Sequence, residues 1–215
     1  MKEKLEELKA GKTDLERDDF IWHFLLQSLS GMGNNTGYYG LIKTKENYER
    51  VTFEALSILK PEERLPHLKR VLAESKVRMP NLKAGWLYKN YDLIIEKGGL
   101  LTVKNEALRK KGKEEKIKYM MNFVGIGKKY ARNIWMDVYH PDFHDSIAID
   151  SRISKITEMM GWQFETYEEH ERFYLDIAKE AGIQGWELDR LLFHFNIYFA
   201  NAMGDVTTYE DTKKD

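Results

Sequence analysis

Phe123-Val-Gly-Ile-Gly-Lys-Lys-Tyr-Ala131 is the stretch on which the fold of this chain turns. Lys113 to Met121, just before it, has helical composition, and Lys128 to Val138 reads as a second helix. Between them, Gly125 and Gly127 permit positive φ and a close approach of another molecule to the backbone. Ile126, flanked by the two glycines, is expected to plug the turn into the protein. The amides of Gly127, Lys128 and Lys129 are then left at a helix N-terminus, where orphan N–H groups and the positive end of the helix dipole suit a phosphate oxygen. Ala131 is small enough to let the two helices pack closely. A tight turn with two glycines is also common in helical proteins, so the motif gains weight only from a second one, C-terminal to it.

That second motif is Ala148-Ile-Asp-Ser-Arg-Ile153, with Asp150 placed 21 residues after Lys129. Asp150 opens a predicted helix, Ser151 to Met160, whose N-terminus favours the ionised carboxylate. Lys129 lies in the first turn of its own helix beside Lys128, and both neighbours disfavour the ammonium form. A neutral amine is a nucleophile toward C1′ of a sugar. A fixed carboxylate nearby stabilises the oxocarbenium-like state formed as a base departs. Taken singly, Lys129 serves equally well as a phosphate-binding lysine and Asp150 as a helix N-cap. Together they favour chemistry on one sugar.

In the rest of the chain the pattern is helical almost throughout, with only four prolines and no sustained two-residue alternation. Thr13-Asp-Leu-Glu16 reads as a cap for a long apolar helix through Ile21, Trp22, Phe24, Leu25, Leu26 and Leu29. Further helices are predicted over Glu46–Leu59, Pro61–Ser75, Asn81–Lys97, Tyr167–Ala181 and Gly185–Ala202. Gly98-Gly99 and Gly112 mark breaks, and the polar tail from Gly204 is expected to fray. Trp86, Trp162, Trp186 and the run Phe193 to Phe199 read mostly as core. His140, Asp142, His144 and Asp145 crowd one loop, but a loop does not hold ligands on converging scaffolds, so no metal is expected there.

The 215 residues can bury a full core, as one compact unit that could comprise two lobes, and 42% hydrophobic with 32% charged residues is a soluble composition. No apolar run reaches a membrane span and no signal peptide opens the chain, so a cytoplasmic location is the expectation. There is no cysteine, which excludes disulfides and cysteine-ligated metals. Net charge is −1, yet its distribution is uneven. Lys104 to Lys129 holds nine basic residues against three acidic ones, and Glu158 to Asp189 nine acidic against two basic. A cationic DNA-facing surface on an otherwise acidic body fits that asymmetry; so does a solvated lysine-rich helix.

The pattern Gly125-Ile-Gly-Lys-Lys129, with Ile149-Asp-Ser-Arg-Ile153 beyond it, resembles the helix-hairpin-helix DNA glycosylases, the superfamily of endonuclease III and the 8-oxoguanine DNA glycosylases. In that family the catalytic lysine is the second residue after the second glycine, which maps onto Lys129, and the catalytic aspartate maps onto Asp150. The separation is slightly longer than in endonuclease III, with the extra residues assigned to Tyr139–Asp145. Val77-Arg-Met-Pro-Asn-Leu-Lys-Ala84 is similar to the family's Asn-x-Lys-Ala segment at the start of a barrel helix. Leu29-Ser-Gly-Met-Gly-Asn-Asn-Thr36 falls where the family has a loop with a wedge residue. Asn34 or Asn35 would fill the hole left by a flipped nucleotide; a polar turn is the plainer use of such a loop.

The resemblance spans about Phe20 to Ile197 and is specific only around the turn and Asp150. It implies an all-α fold of two helical lobes, residues 36–142 ending in the helix-hairpin-helix, and residues 1–35 with 143–215, with the active site in the cleft. It implies a bifunctional glycosylase/lyase acting as a monomer on double-stranded DNA containing a damaged base. Gly125, Gly127 and Lys128 would grip the backbone, with Asn34 or Asn35 as wedge. No iron–sulfur cluster is expected without cysteine; a monovalent cation on turn carbonyls, frequent in the family, would need no side chains. Within the family the resemblance is nearest to the 8-oxoguanine enzymes, because cluster-bearing members need cysteine and alkylated-base members generally lack the lysine; it implies 8-oxoguanine as substrate, although no residue of the pocket is identified. A non-catalytic DNA-binding module and a monofunctional glycosylase remain open.

Overall fold

The structure, a computed structural model, describes residues 2–9 and 15–202. These residues are all-helical, without a strand. In chain order the α-helices are α1 (Lys2–Lys9), α2 (Phe20–Gly31), α3 (Thr36–Leu41), α4 (Lys45–Glu49), α5 (Phe53–Ile58), α6 (Pro61–Glu74) and α7 (Pro80–Glu96). They continue with α8 (Leu100–Arg109), α9 (Gly112–Met120), α10 (Lys128–Asp137), α11 (Ser151–Met159), α12 (Tyr167–Glu180), α13 (Gly185–His194) and α14 (Asn196–Ala202). None of the described helices is long and apolar enough to cross a membrane.

Helix α2 is strongly apolar apart from His23, Gln27, Ser28 and Ser30, and most of its length is buried, as befits a helix in the centre of a core. Phe20, Ile21, Trp22, Phe24, Leu25, Leu26 and Leu29 are each at most 1% exposed. At roughly 1.5–3 kcal/mol per fully buried large apolar side chain, this one helix supplies much of the unit's cohesion. It packs against α3, α7 and α8. The helix starts at Phe20 rather than after Thr13, which lies outside the described residues. Asp19 precedes it without a side-chain cap, its carboxylate held instead by the Arg17 guanidinium at 2.8 and 2.9 Å.

Two long predicted helices are broken in the structure. Between α4 and α5, Val51 is fully buried and its carbonyl accepts the indole N–H of Trp22 at 2.9 Å. The chain leaves the helix to place it there, and the Thr52 hydroxyl caps the restart by accepting Ala55 N–H at 3.2 Å. The last predicted helix divides at Phe195 into α13 and α14. Helices α1, α3 and α8 had no explicit sequence prediction; α8 fits between the breaks foreseen at Gly98-Gly99 and Gly112.

The chain forms two compact units, a middle one ending at Ile134 and a terminal one that takes Lys2–Lys9 and resumes at Trp135. The boundaries differ from those drawn from the sequence. Residues 15–35 go with the middle unit, because α2 is that unit's central helix. Residues 135–142 go with the terminal unit, where Met136 O accepts the Trp186 indole N–H at 2.6 Å and Tyr139 donates to Gln184 at 3.0 Å. The terminal core consists of Ile147, Ile153, Ile156, Tyr174, Ala178, Leu188 and Leu192.

Candidate functional site

In the middle unit, α9 and α10 are joined by the turn that contains Gly125 and Gly127. Ile126 is 5% exposed and Ala131 is fully buried, as the plug and the close helix contact require. The two glycines have different duties. Gly125 has φ +87°, and a Cβ there would lie 2.5 Å from Trp86 Cε3 and 3.0 Å from Leu29 Cδ2. Gly127 does not adopt positive φ, so that expectation is corrected for this residue; a Cβ on it would meet nothing within 4 Å. Gly125 is therefore fixed by packing, whereas Gly127 leaves a bare, exposed stretch of backbone at the start of α10. Lys128 is exposed, and the half-buried Lys129 holds Nζ 5.4 Å from the Tyr130 ring centroid, within cation–π range.

One face of α7 organises the surroundings of this turn. Asn90, fully buried, donates to Val124 O at 3.0 Å and accepts Val124 N–H at 2.7 Å, satisfying both backbone groups of the residue before Gly125. Trp86, one turn earlier, covers Gly125. Lys83, one further turn back and fully buried, donates Nζ to Met32 O at 2.7 Å. Burial, reinforced by the Arg78 charge, pushes the Lys83 ammonium below its usual range. The carbonyl that Lys83 grips opens the loop bearing Asn34 and Asn35, both of which are exposed. Asn35 precedes α3 without capping it by its side chain. Lys83, Trp86 and Asn90, spaced for one helix face, thus fix two irregular segments at once. Sequence reasoning missed Trp86 and Asn90 in this role; their register with the buried Lys83, Leu87 and Ile94 was the available signal.

The lysine-rich approach to the turn is less cationic at its surface than its composition implies. Lys104 is 8% exposed and donates Nζ to Glu16 O at 3.0 Å and Arg17 O at 2.8 Å. Lys116 is 3% exposed and donates to Lys110 O. Both use a long apolar stem to carry the ammonium to backbone carbonyls inside the unit. Arg109, Lys111, Lys118 and Lys128 are the exposed cations of the run.

In the terminal unit, Asp150 is the N-cap of α11: Oδ1 accepts Arg152 N–H at 2.9 Å and Ile153 N–H at 3.0 Å. The extended segment leading to it is held by side chains from α12 and α13. Ile147 N–H donates to Glu171 at 3.1 Å, Ala148 N–H to Asp189 at 2.7 Å, and Ile149 N–H to the Tyr167 hydroxyl at 3.2 Å. The Tyr167 hydroxyl in turn donates to Ile147 O at 2.8 Å. Three consecutive amides before Asp150 are thus bonded to three different side chains, so the backbone has little freedom to move the carboxylate. Glu171 and Asp189 are 6% and 3% exposed. Burial pushes the Asp189 carboxyl up, opposed by Arg190, whose Nη2 lies 2.9 Å from Oδ2, and by the Ala148 amide. Arg190 also pairs with Asp137 at 2.9 Å. None of these supports was foreseen from the sequence, where they lie in a stretch noted only for its excess of acidic residues.

His140 accepts Asp142 N–H and packs its ring edge-on to Trp135, while His144 stacks on Tyr139. Among the described residues no group of three His, Asp or Glu gathers in a geometry that could hold a metal ion. Trp186 is core, but Trp162 is 53% exposed, and Phe193, Ile197 and Tyr198 are exposed as well, which corrects the core reading for them. No protein-family model, curated protein or solved structure matches this chain at significance.

Proposed function

We propose that this protein is a DNA glycosylase with lyase activity, acting in base-excision repair on duplex DNA that contains a damaged base. The observation that supports it most is the division of labour within the Gly125–Gly127 turn. One glycine is held against Trp86 and Leu29, and the other is exposed at a helix start, where phosphate binding needs open backbone. Lys129, two residues further on, supplies the amine. Asp150 supplies a carboxylate on a backbone tied by three side-chain hydrogen bonds.

In the proposed reaction, the Lys129 amine, after giving up a proton to solvent, forms a bond to C1′ while the bond from C1′ to the base nitrogen breaks. The departing base takes the electron pair and a proton. Asp150 stabilises positive charge at C1′ as that bond lengthens. Ring opening gives a protonated Schiff base, loss of a C2′ proton expels the 3′ phosphate, and hydrolysis returns the lysine. Exposed Lys128 and the Gly127 amide would hold a backbone phosphate, and Asn34 or Asn35 would occupy the vacated stack. The substrate proposed is 8-oxoguanine, by elimination and family resemblance.

Borohydride trapping on duplexes containing 8-oxoguanine, thymine glycol, uracil or an alkylated adenine tests this. The wild type is expected to form a covalent adduct that Lys129→Gln abolishes and Lys128→Gln retains. Base release without an adduct would leave a monofunctional glycosylase. Binding with neither would leave a DNA-binding module whose Asp150 is only a helix cap. Fast excision of thymine glycol with none of 8-oxoguanine would overturn the substrate and keep the mechanism.

A further inference from the structure

A second site lies at the opposite end of α11 from Asp150, roughly 13 Å along the helix at 1.5 Å per residue. Beyond Met159 the chain reverses at Gly161, with φ +79°, and lays Trp162 and Phe164 against α12. The rings are tilted rather than stacked in parallel. Trp162 stands 5.6 Å from Phe173 at 39°, and Phe164 5.1 Å from Phe173 at 43°. Phe164 also covers the His170 ring at 5.0 Å. Trp162, Phe164 and His170 wall a recess of about 280 Å³ whose other side is formed by Ser154, Thr157 and Glu158.

Its electrostatics are one-sided. Among the described residues no lysine or arginine lines the recess, and the exposed Glu158 places a carboxylate at its edge. His170 Nε2 lies 2.6 Å from the Thr157 hydroxyl, and burial pushes the imidazole down, keeping it uncharged at neutral pH. The Thr157 hydroxyl is further engaged by Ile153 O at 2.8 Å and the Tyr174 hydroxyl at 2.9 Å. The floor is thus internally bonded, while Trp162 and Glu158 are exposed. The Trp162 indole packs against the Phe173 ring and is left 53% exposed beside the recess. Aromatic faces attract cations through the ring quadrupole, most strongly at tryptophan. Of the acidic residues in the surrounding stretch, Glu171 and Asp189 are buried and Glu187 pairs with Lys9, but Glu158, Glu165, Glu168, Glu169, Asp176 and Glu180 are exposed against only Arg172 and Lys179, a surface that favours cations.

We propose that this recess binds an alkylammonium group, its methylene stem lying on Trp162 and its N–H groups donating to the Glu158 carboxylate and the Ser154 hydroxyl. Such a group reaches the protein either as a free polyamine or as the lysine side chain of another protein. The site is independent of the glycosylase reading and stands or falls separately.

Ligand-observed saturation-transfer NMR on the full chain tests it, with spermidine and N-acetyl-lysine methylamide as probes and N-acetylglycine as an anionic control, at matched ionic strength. Both cations are expected to show saturable transfer, and the anion none. Trp162→Ala should weaken binding by about 2- to 30-fold, the span of a cation–π contact, and Glu158→Gln should weaken it as well. Both side chains are exposed, so neither variant endangers the fold. Tighter binding of spermidine assigns the free polyamine as the source, and tighter binding of the lysine amide assigns a protein partner. Equal transfer to wild type and both variants, equal transfer to the anion, or no transfer to either cation would overturn the proposal.

Discussion

Alanine at Gly125 and alanine at Gly127 are expected to have opposite consequences, although the residues are two apart in one turn. At Gly125 the new methyl would sit 2.5 Å from Trp86 Cε3 and 3.0 Å from Leu29 Cδ2, on a backbone with φ +87°. The left-handed conformation costs an L-residue about 1–2 kcal/mol, and an extra methyl forced into a filled core costs about 1–3 kcal/mol. Trp86 presents a rigid ring rather than a flexible chain end, so relief requires moving α7 or the turn. The combined loss of about 2–5 kcal/mol is a large part of a domain's usual 5–15 kcal/mol. At Gly127 there is neither positive φ nor an atom within 4 Å. Alanine there restricts the unfolded chain and should leave stability unchanged or raise it by up to about 1 kcal/mol.

The functional consequence reverses the order. If a phosphate oxygen meets the backbone at Gly127, a methyl there keeps it away, and losing one charge-assisted hydrogen bond costs about 1.5–3 kcal/mol, a tenfold or greater loss of affinity. Urea unfolding followed by circular dichroism, with duplex binding by fluorescence anisotropy at fixed salt, separates the two effects. Gly125→Ala losing under about 1 kcal/mol would refute the packing argument. Gly127→Ala binding duplex as tightly as wild type would place the DNA elsewhere.

Asp150→Asn keeps an oxygen for the Arg152 and Ile153 amides, and asparagine caps as well as aspartate. The melting temperature should therefore barely move, while base excision falls by about 10²- to 10³-fold in single-turnover assays for want of charge at C1′; a variant that melts far lower would make Asp150 chiefly structural. Glu171→Ala strands the Ile147 amide and should cost about 1–3 kcal/mol. Asp189→Ala should cost about 3–5 kcal/mol, because it also breaks up a buried pair with Arg190. Thermal melts rank the two, and the reverse order would show that Asp189 is dispensable to the segment before Asp150.

Much of the helical frame was legible because its signals are local. Helices α6, α7, α9 to α12 begin and end within a residue or so of their predicted bounds, and Ile126 and Asp150 sit as their neighbours in sequence imply. The breaks at Val51 and Phe195 were not legible. At Val51 the cause lies 29 residues away, in the Trp22 indole that takes its carbonyl. Gly125 and Gly127 look alike in sequence and differ in structure because Trp86 approaches only the first. Lysines in the 104–129 run were read as surface charge, but Lys104 and Lys116 have stems long enough to reach interior carbonyls. Asp189 counted only toward an acid-rich stretch, although it shares helical register with Trp186 and Leu192, which are core. A charged residue three positions from two core residues was the sign that it had a buried partner.

Four of the buried polar side chains share a purpose. Irregular backbone inside a protein must find hydrogen-bond partners that helices supply for themselves. Lys83 serves Met32, Asn90 serves Val124, Glu171 serves Ile147 and Asp189 serves Ala148. Each pair joins a helix to one of three non-helical segments: the Asn34-Asn35 loop, the glycine turn, and the approach to Asp150. These are the segments that the sequence singles out for chemistry or DNA contact. Elsewhere the same helices bury leucine, isoleucine and aromatic residues, which would pack the units with less desolvation cost. Polar groups were retained where a loop had to be held in one conformation, and a loop held at such cost is expected to have a task that depends on its position.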